Sequence, residues 1–207
     1  MGAPRLILAS ASPRRRDLLD QLGATYTSEP AHIDESQRQG EPPREYVQRM
    51  AREKAQAVAL RFPAPDYVVL AADTTVVRDD TVLGKPRDRD EAMAILASLS
   101  GRWHTVLTAI CLLGEGGMAC EVVATRVEFA TLTRADCEAY LATDEPWDKA
   151  GAYGIQGLGG AFVRAIEGSY TNVVGLPLWE TWRLLCARGI TTALNPAEPA
   201  GTVGADR

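Results

Sequence analysis

The stretch YVVLAADTTVVRDDTVLGKPRDRD, Tyr67 to Asp90, decides how the rest of the chain is read. It opens on the apolar run Tyr67-Val68-Val69-Leu70-Ala71-Ala72, which has the length and β-branched content of a buried strand. The run stops at Asp73, followed by Thr74 and Thr75. An acid at the tip of a buried strand sits where open α/β sheets keep their ligand crevice. Asp79-Asp80 reads as a hairpin turn, and Gly84-Lys85-Pro86 holds a cation between a flexible residue and a rigid one. An acid and a lysine on one hairpin-like unit suit an anionic, metal-bound substrate. A capping acid and a turn lysine account for the same residues, and this stretch alone does not separate the two.

Upstream, Arg5 to Ala9 reads as a first strand running into Ser10-Ala11-Ser12-Pro13-Arg14-Arg15-Arg16. Ser12 is a good N-cap and Pro13 a good first helical residue, so a helix is expected from Pro13 to Leu22, ending at Gly23. Three arginines in its first turn oppose the helix dipole, which favours acids there by roughly 0.3–1 kcal/mol per group. The arrangement suits an anion docked on backbone N–H groups, serines and arginines together. The plainer reading is a solvated basic face. Thr25 to Ser28 suggests a short strand, leading to the adjacent acids Asp34-Glu35 in a polar loop, a type of pair that is usually only solvated. Pro42-Pro43 opens a helix to about Phe62 whose apolar stripe includes Met50, Ala51, Ala55 and Val58. Lys54 falls inside that stripe, either snorkelling to its rim or pointing into a site.

Downstream, Asp88 and Glu91 form a capping pair for a helix through about Leu99. Thr105 to Leu113 and Val122 to Ala130 are β-rich runs around Gly114-Glu115-Gly116-Gly117, most simply an antiparallel pair. Thr133 with Asp136 caps a short helix to about Ala142. Between Gly151 and Gly160 lie five glycines in ten residues, a density that lets backbone approach a ligand closely. Ala161 to Ile166 reads as a strand, and Pro177 to Arg188 as a last helix with Leu178, Trp182 and Leu185 on one face. The domain is expected to span 1–192, with 193–207 a flexible tail rich in Pro, Gly and Ala.

The bulk numbers exclude several classes. With 207 residues, 46% hydrophobic and 24% charged, the chain fits one soluble domain of two lobes. A net charge of −5 argues against long-range attraction to nucleic acid or anionic membranes, so any phosphate site must be a local cluster of Arg and Lys. The four cysteines, Cys111, Cys120, Cys137 and Cys186, show no metal-like spacing and are expected as reduced thiols. With only His32 and His104, a His-rich zinc site is excluded, and a required metal would be Mg²⁺ or Mn²⁺ on carboxylates. The apolar run Leu6-Ile7-Leu8-Ala9 is too short for a signal peptide or membrane span, and a cytoplasmic protein is expected. Neither GxGxxG nor a P-loop is present.

Taken in order, several segments together resemble one family. Ser10-Ala11-Ser12-Pro13-Arg14-Arg15 resembles the S-x-S-P-R-R signature of the Maf proteins. Asp34-Glu35, Lys54, Ala72-Asp73-Thr74, Gly84-Lys85-Pro86, Ser100-Gly101 to Thr108, the glycine-rich segment and Asn172-Val173-Val174-Gly175-Leu176-Pro177 follow in that family's order, over about Leu6 to Arg188. The resemblance implies an α/β fold of two lobes around a central cleft. It carries an extended mixed β-sheet flanked by helices, similar to the inosine triphosphatases and commonly a homodimer. It also implies hydrolysis of a nucleoside triphosphate to its monophosphate and pyrophosphate with a divalent metal. Arg14, Thr74 and Gln156 match the subfamily that prefers dTTP and UTP, modified pyrimidine nucleotides being further candidates, rather than the one that prefers 7-methyl-GTP.

Hydrolysis at the α-phosphorus needs an activated water, charge neutralisation and a held base. On the resemblance, Asp73 is the general base or a metal ligand, and Glu35 shares the metal. Lys54, Lys85 and Arg15 neutralise phosphate oxygens, while Ser10 and Ser12 with the helix N-terminus hold one phosphoryl group. Gln156 offers both a donor and an acceptor to uracil or thymine. The alternatives are a nucleotide-binding regulator of septum formation with little turnover, and a pyrophosphatase for inosine or xanthosine triphosphate. A nucleic-acid-binding module is not supported.

Overall fold

In a computed structural model, which describes residues 4–62 and 64–196, the central strand β3 runs unbroken over Tyr67–Arg78. Asp73 therefore lies in mid-strand, which corrects the expectation of a strand ending there. An apolar-run criterion stops at the first charge, but a strand continues as long as its neighbour supplies hydrogen bonds. Here the neighbour is β5 (Trp103–Gly114), paired antiparallel with β3 from Val69 to Val77. On the other edge, β1 (Arg5–Leu8) runs parallel to β3, with β2 (Tyr26–Ser28) parallel to β1 beyond it. A tight turn at Asp79 and Asp80, both at positive φ, returns the chain as β4 (Thr81–Leu83) against the end of β3. Acidic residues tolerate that left-handed turn better than most non-glycine residues. β6 (Gly117–Phe129) and β7 (Val163–Glu167) complete a mixed sheet of seven strands among the described residues, ordered β2-β1-β3-β5-β6-β7 with β4 on β3. β7 begins later than the expected Ala161, because Leu158–Phe162 forms a 3₁₀ segment.

The two-residue period of β3 assigns its side chains to two cores. Val68, Leu70 and Ala72 pack on α1 (Pro13–Gln21), α5 (Tyr170–Val174) and α6 (Leu178–Cys186) through Leu18, Leu19, Val174, Leu184 and Leu185. Val69 and Ala71 face the opposite way, onto Val47, Ala51, Ala55 and Val58 of α2 (Pro43–Ala59). A third cluster lies further along the strands, where Val76 and Val106 meet α3 (Arg89–Leu99) and α4 (Arg134–Tyr140). Each fully buried Leu or Val contributes roughly 1.5–3 kcal/mol, so Leu70→Ala at the centre would cost about 2–5 kcal/mol. The expected caps form: Asp88 accepts from Glu91 N, and Thr133 and Asp136 make a reciprocal capping box.

One expectation about the cysteines is overturned. Cys111 and Cys120 stand opposite each other in the β5–β6 register, 4.2 Å apart at Cα, and form a disulfide, while Cys137 and Cys186 are free. Spacing rules look for ligand patterns along the chain, whereas this pairing comes from the hairpin register, which brings close-spaced cross-strand side chains together.

Gly23 follows the C-cap Leu22 of α1; its φ of +66° favours glycine, and a Cβ there would approach that of Ala193 to 2.9 Å. Ala193 N donates to Leu22 O at 2.8 Å and Asn195 bridges to Thr192, so the first residues of the expected tail sit against α1. Residues 197–207 lie outside the described residues. Among the described residues no helix is long and apolar enough to cross a membrane.

Candidate active site

β1 and β4 share one edge of β3 but cover different parts of it. The β1 pairing ends at Leu8 opposite Leu70, and the β4 pairing begins at Leu83 opposite Val76. From Ala71 to Thr75 no strand among the described residues lies beside that edge, while β5 supports the other edge throughout. A cavity of about 840 Å³ opens on this gap, within the range of small-molecule sites. Because successive side chains point to opposite faces, Asp73 turns toward α2 and Thr74 toward α1, and both line the cavity.

The acidic side is built by α2. Lys54 follows Met50 and precedes Val58 at four-residue spacing, so it belongs to the buried stripe and points into the site rather than snorkelling out. Its Nζ lies 2.7 Å from Asp73 Oδ1 and 3.0 Å from Glu35 Oε1. Lys54 and Asp73 are only 8% and 7% exposed, whereas the Glu35 side chain is half exposed. Burial pushes the Asp73 carboxyl above its ordinary range, with Lys54 and Arg15 pulling it partly back. A buried ion pair is seldom a net source of stability, so this one is better explained by what it holds ready in the cavity. The loop carrying Glu35 is irregular but tied to α2. Tyr46 Oη donates to Glu35 O at 2.9 Å, and Arg49 donates to Ser36 O and pairs with Glu41 at 2.6 Å. Tyr46 has the spacing of the α2 apolar stripe, so neither it nor Arg49 was legible as a site residue.

The basic side is the start of α1. Ser12 occupies the N-cap position but its hydroxyl caps nothing, leaving the first-turn N–H groups without a side-chain cap. Ser10 is buried, and its Oγ accepts from Ser12 N and from Arg15 Nη1, both at 3.2 Å. Arg15 also donates from Nε to Gly175 O at 2.8 Å and from Nη2 to Thr74 Oγ1 at 3.1 Å. Burial lowers its pKa from the ordinary value, with Asp73 pulling it partly back up. Arg14 reaches across the cavity mouth to Asp148, 3.2 Å away. Lys85 is exposed at the rim and, among the described residues, has no ion-pair partner.

Gln156 is exposed on the cavity wall, within the glycine-rich segment. Several of those glycines are required by the protein's own packing. A Cβ at Gly157 would lie 2.3 Å from Glu145 Oε2, and one at Gly154 would lie 2.7 Å from Lys149. The Glu145 carboxylate accepts from Leu158 N at 2.8 Å, Gly159 N at 3.0 Å and Tyr140 Oη at 2.8 Å. Tyr140 Oη in turn accepts from Gly154 N. Glu145 thus clamps the loop on both sides of Gln156. Burial would raise its pKa, but the bonds from Gly159, Tyr140 and Leu158 hold it below the usual range. Gly154 and Gly157 also line the cavity, so packing against Lys149 and Glu145 is a second demand on them beside the expected close approach to a ligand. The sequence reading missed Glu145, whose only signal was a glycine cluster that needed something to pack against.

Every residue expected at the site lines this one cavity: Ser10, Ser12, Arg14, Arg15, Glu35, Lys54, Asp73, Thr74, Lys85 and Gln156. The family model described as Maf-like protein matches residues 5–188, which contain all of them. The chain belongs to the Maf family. Its Maf relatives include the dTTP/UTP pyrophosphatase of Methylobacillus flagellatus, 53% identical over 186 residues, covering 90% of this chain and 94% of the relative. The dTTP/UTP pyrophosphatase of Anaeromyxobacter dehalogenans is 56% identical over 191 residues, with 90% and 95% covered. That of Shewanella oneidensis is 51% identical over 191 residues, with 89% and 98% covered. Similarity of this extent leaves little of the Maf domain outside the comparison.

Proposed function

We propose that this chain hydrolyses dTTP and UTP to the corresponding monophosphate and pyrophosphate. The observation that carries the reading is the buried Asp73 carboxylate, held by Lys54 at the free edge of β3 and facing the basic start of α1 within one cavity. The names of the Maf relatives support it independently. Asp73 takes a proton from water as the water oxygen bonds the α-phosphorus, and the bond from that phosphorus to the departing pyrophosphate oxygen breaks. Lys54 keeps Asp73 oriented and places positive charge beside it. Ser10, Ser12, the first-turn N–H groups of α1, Arg15 and Lys85 hold and neutralise phosphoryl oxygens. Gln156 pairs with the base edge, and Arg14 and Thr74 shape selectivity with it.

The donor set fits a divalent cation of the Mg²⁺ or Mn²⁺ type. Asp73 and Glu35 both bond Lys54 Nζ, and among the described residues no cluster of three His, Cys, Asp or Glu side chains exists. Two carboxylates with the rest of the shell left to substrate phosphates and water is the usual Mg²⁺ arrangement. Asp73 and Glu35 would hold such an ion, which would supply charge neutralisation on the phosphates. A cytoplasmic homodimer belongs to the same reading.

The test is product analysis by chromatography or phosphorus NMR across dTTP, UTP, CTP, GTP, 7-methyl-GTP and ITP. Monophosphate with pyrophosphate, formed fastest from dTTP and UTP, is expected. Diphosphate with free phosphate contradicts the chemistry, and a preference for purines contradicts the base assignment. No turnover on any of them favours the nucleotide-binding regulator.

A further inference from the structure

Thr108 stands opposite Thr74 in the β3–β5 register and is fully buried. Its hydroxyl donates to the main-chain carbonyl of Asn172 at 2.8 Å and lies 2.9 Å from the Thr74 hydroxyl. A carbonyl only accepts, and a hydroxyl carries one proton. The proton of Thr108 is therefore committed to Asn172, and Thr74 must donate to Thr108 rather than receive from it. Asn172 is itself fully buried, and the next helical donor, Leu176 N, bonds Thr171 instead. Withholding the Thr108 proton would leave a buried carbonyl unpaired, which is unfavourable.

Arg15 Nη2 completes the sequence by donating to Thr74 Oγ1. Hydrogen bonds thus run one way, from Arg15 through Thr74 and Thr108 to Asn172. The same guanidinium reaches Gly175 O from Nε, so both ends of the relay close on the segment that follows β7. Of the five N–H groups of Arg15, those to Gly175, Ser10 and Thr74 are used, leaving one on each terminal nitrogen. That pair suits two oxygens of one phosphoryl group.

We infer that Thr108 is a positioning residue which fixes the Thr74 hydroxyl as an acceptor for Arg15, so that Thr74 acts on substrate through Arg15 and not by donating to it. The inference rests on the reading above, in which Arg15 holds a substrate phosphate.

The experiment compares pyrophosphate release from UTP by Thr108→Val, Thr108→Ser, Arg15→Ala and the Arg15→Ala/Thr108→Val double variant. Thr108→Val lowers kcat/KM about tenfold, the equivalent of one hydrogen bond. Thr108→Ser, which keeps the hydroxyl, restores it. In the Arg15→Ala background Thr108→Val causes no further loss, because the residue acts through Arg15. The same loss in both backgrounds would mean a purely structural role and overturn the inference, as would wild-type kinetics for Thr108→Val. If Thr108→Val does not fold, Thr74→Val breaks the same relay while leaving the Thr108–Asn172 bond, and the same outcomes apply. Arg15→Ala with unchanged kinetics would sink the phosphate reading of Arg15 first, and this inference with it. Thr108→Val at wild-type rate beside an impaired Arg15→Ala would sink this inference alone.

Discussion

The ammonium of Lys54 lies 2.7 Å from the carboxylate of Asp73, and the two are buried together at the stretch of β3 between its β1 and β4 pairings. The lysine comes from the helix on one face of the sheet and the acid from the middle of a strand, so the pair depends on the α2–β3 packing of Ala51, Ala55, Val69 and Ala71. Losing the lysine leaves Asp73 buried and without its closest cation. Lys54→Met is expected to lower turnover of dTTP and UTP by about 10²–10³-fold, the scale seen when one preorganised electrostatic partner is removed. Steady-state pyrophosphate release checks it, and turnover within a fewfold of wild type would show that Lys54 only packs.

His104 gives a pH dependence of stability. It is buried, with Nε2 2.8 Å from Tyr153 Oη, Nδ1 unpartnered, and the rings of Phe129 and Tyr153 set edge-on around it. Burial pushes its pKa down to about 4. The unfolded chain takes up a proton on this histidine near pH 6.5 and the folded chain does not until about 4, so stability present above 6.5 is lost as pH falls through that window. The full loss, reached below pH 4, is on the order of 3 kcal/mol. Thermal melts between pH 6.5 and 5, above most carboxylate titration, should show Tm falling in wild type and a shallower slope in His104→Gln. Equal slopes would remove His104 from the account.

Glu145→Gln tests the clamp on the Gln156 loop. One amide oxygen cannot serve the three donors Tyr140, Leu158 and Gly159 that the carboxylate accepts from. A stability loss of about 1–3 kcal/mol is expected. On the proposed reading, in which Gln156 pairs with the base, KM for UTP should rise about tenfold with a smaller change in kcat. An unchanged KM would separate the clamp from substrate binding.

The disulfide makes a simple count. Thiol titration of the unreduced, denatured protein should find two free cysteines, Cys137 and Cys186, because Cys111 and Cys120 are joined. Four free thiols would contradict the pairing.

Much of the site was legible in the sequence because its residues break local rules. Arg14 and Arg15 sit where a helix start prefers acids, and Lys54 interrupts an apolar stripe; each violation had a ligand-facing explanation. The helices at Pro13, Pro43, Arg89 and Arg134 announced themselves through proline and capping residues. Features that depend on a neighbouring strand were not legible. The continuation of β3 through Asp73, the opposition of Cys111 and Cys120, and the pairing of Thr74 with Thr108 all follow from register, which a single chain read locally does not display. Glu145 was hidden for a related reason. Its partners Leu158 and Gly159 are backbone amides in a segment without regular structure, and amides carry no sequence signature.

The most direct test of the central claim is pyrophosphate release from dTTP and UTP, beside the purine triphosphates, by wild type and Asp73→Asn in Mg²⁺ or Mn²⁺. The substitution keeps the shape and an acceptor for Lys54 but removes the base. Metal-dependent turnover of dTTP and UTP that falls by about 10²–10⁴-fold in Asp73→Asn, with the variant still folded, is the result the account predicts. Near wild-type turnover by Asp73→Asn would contradict it.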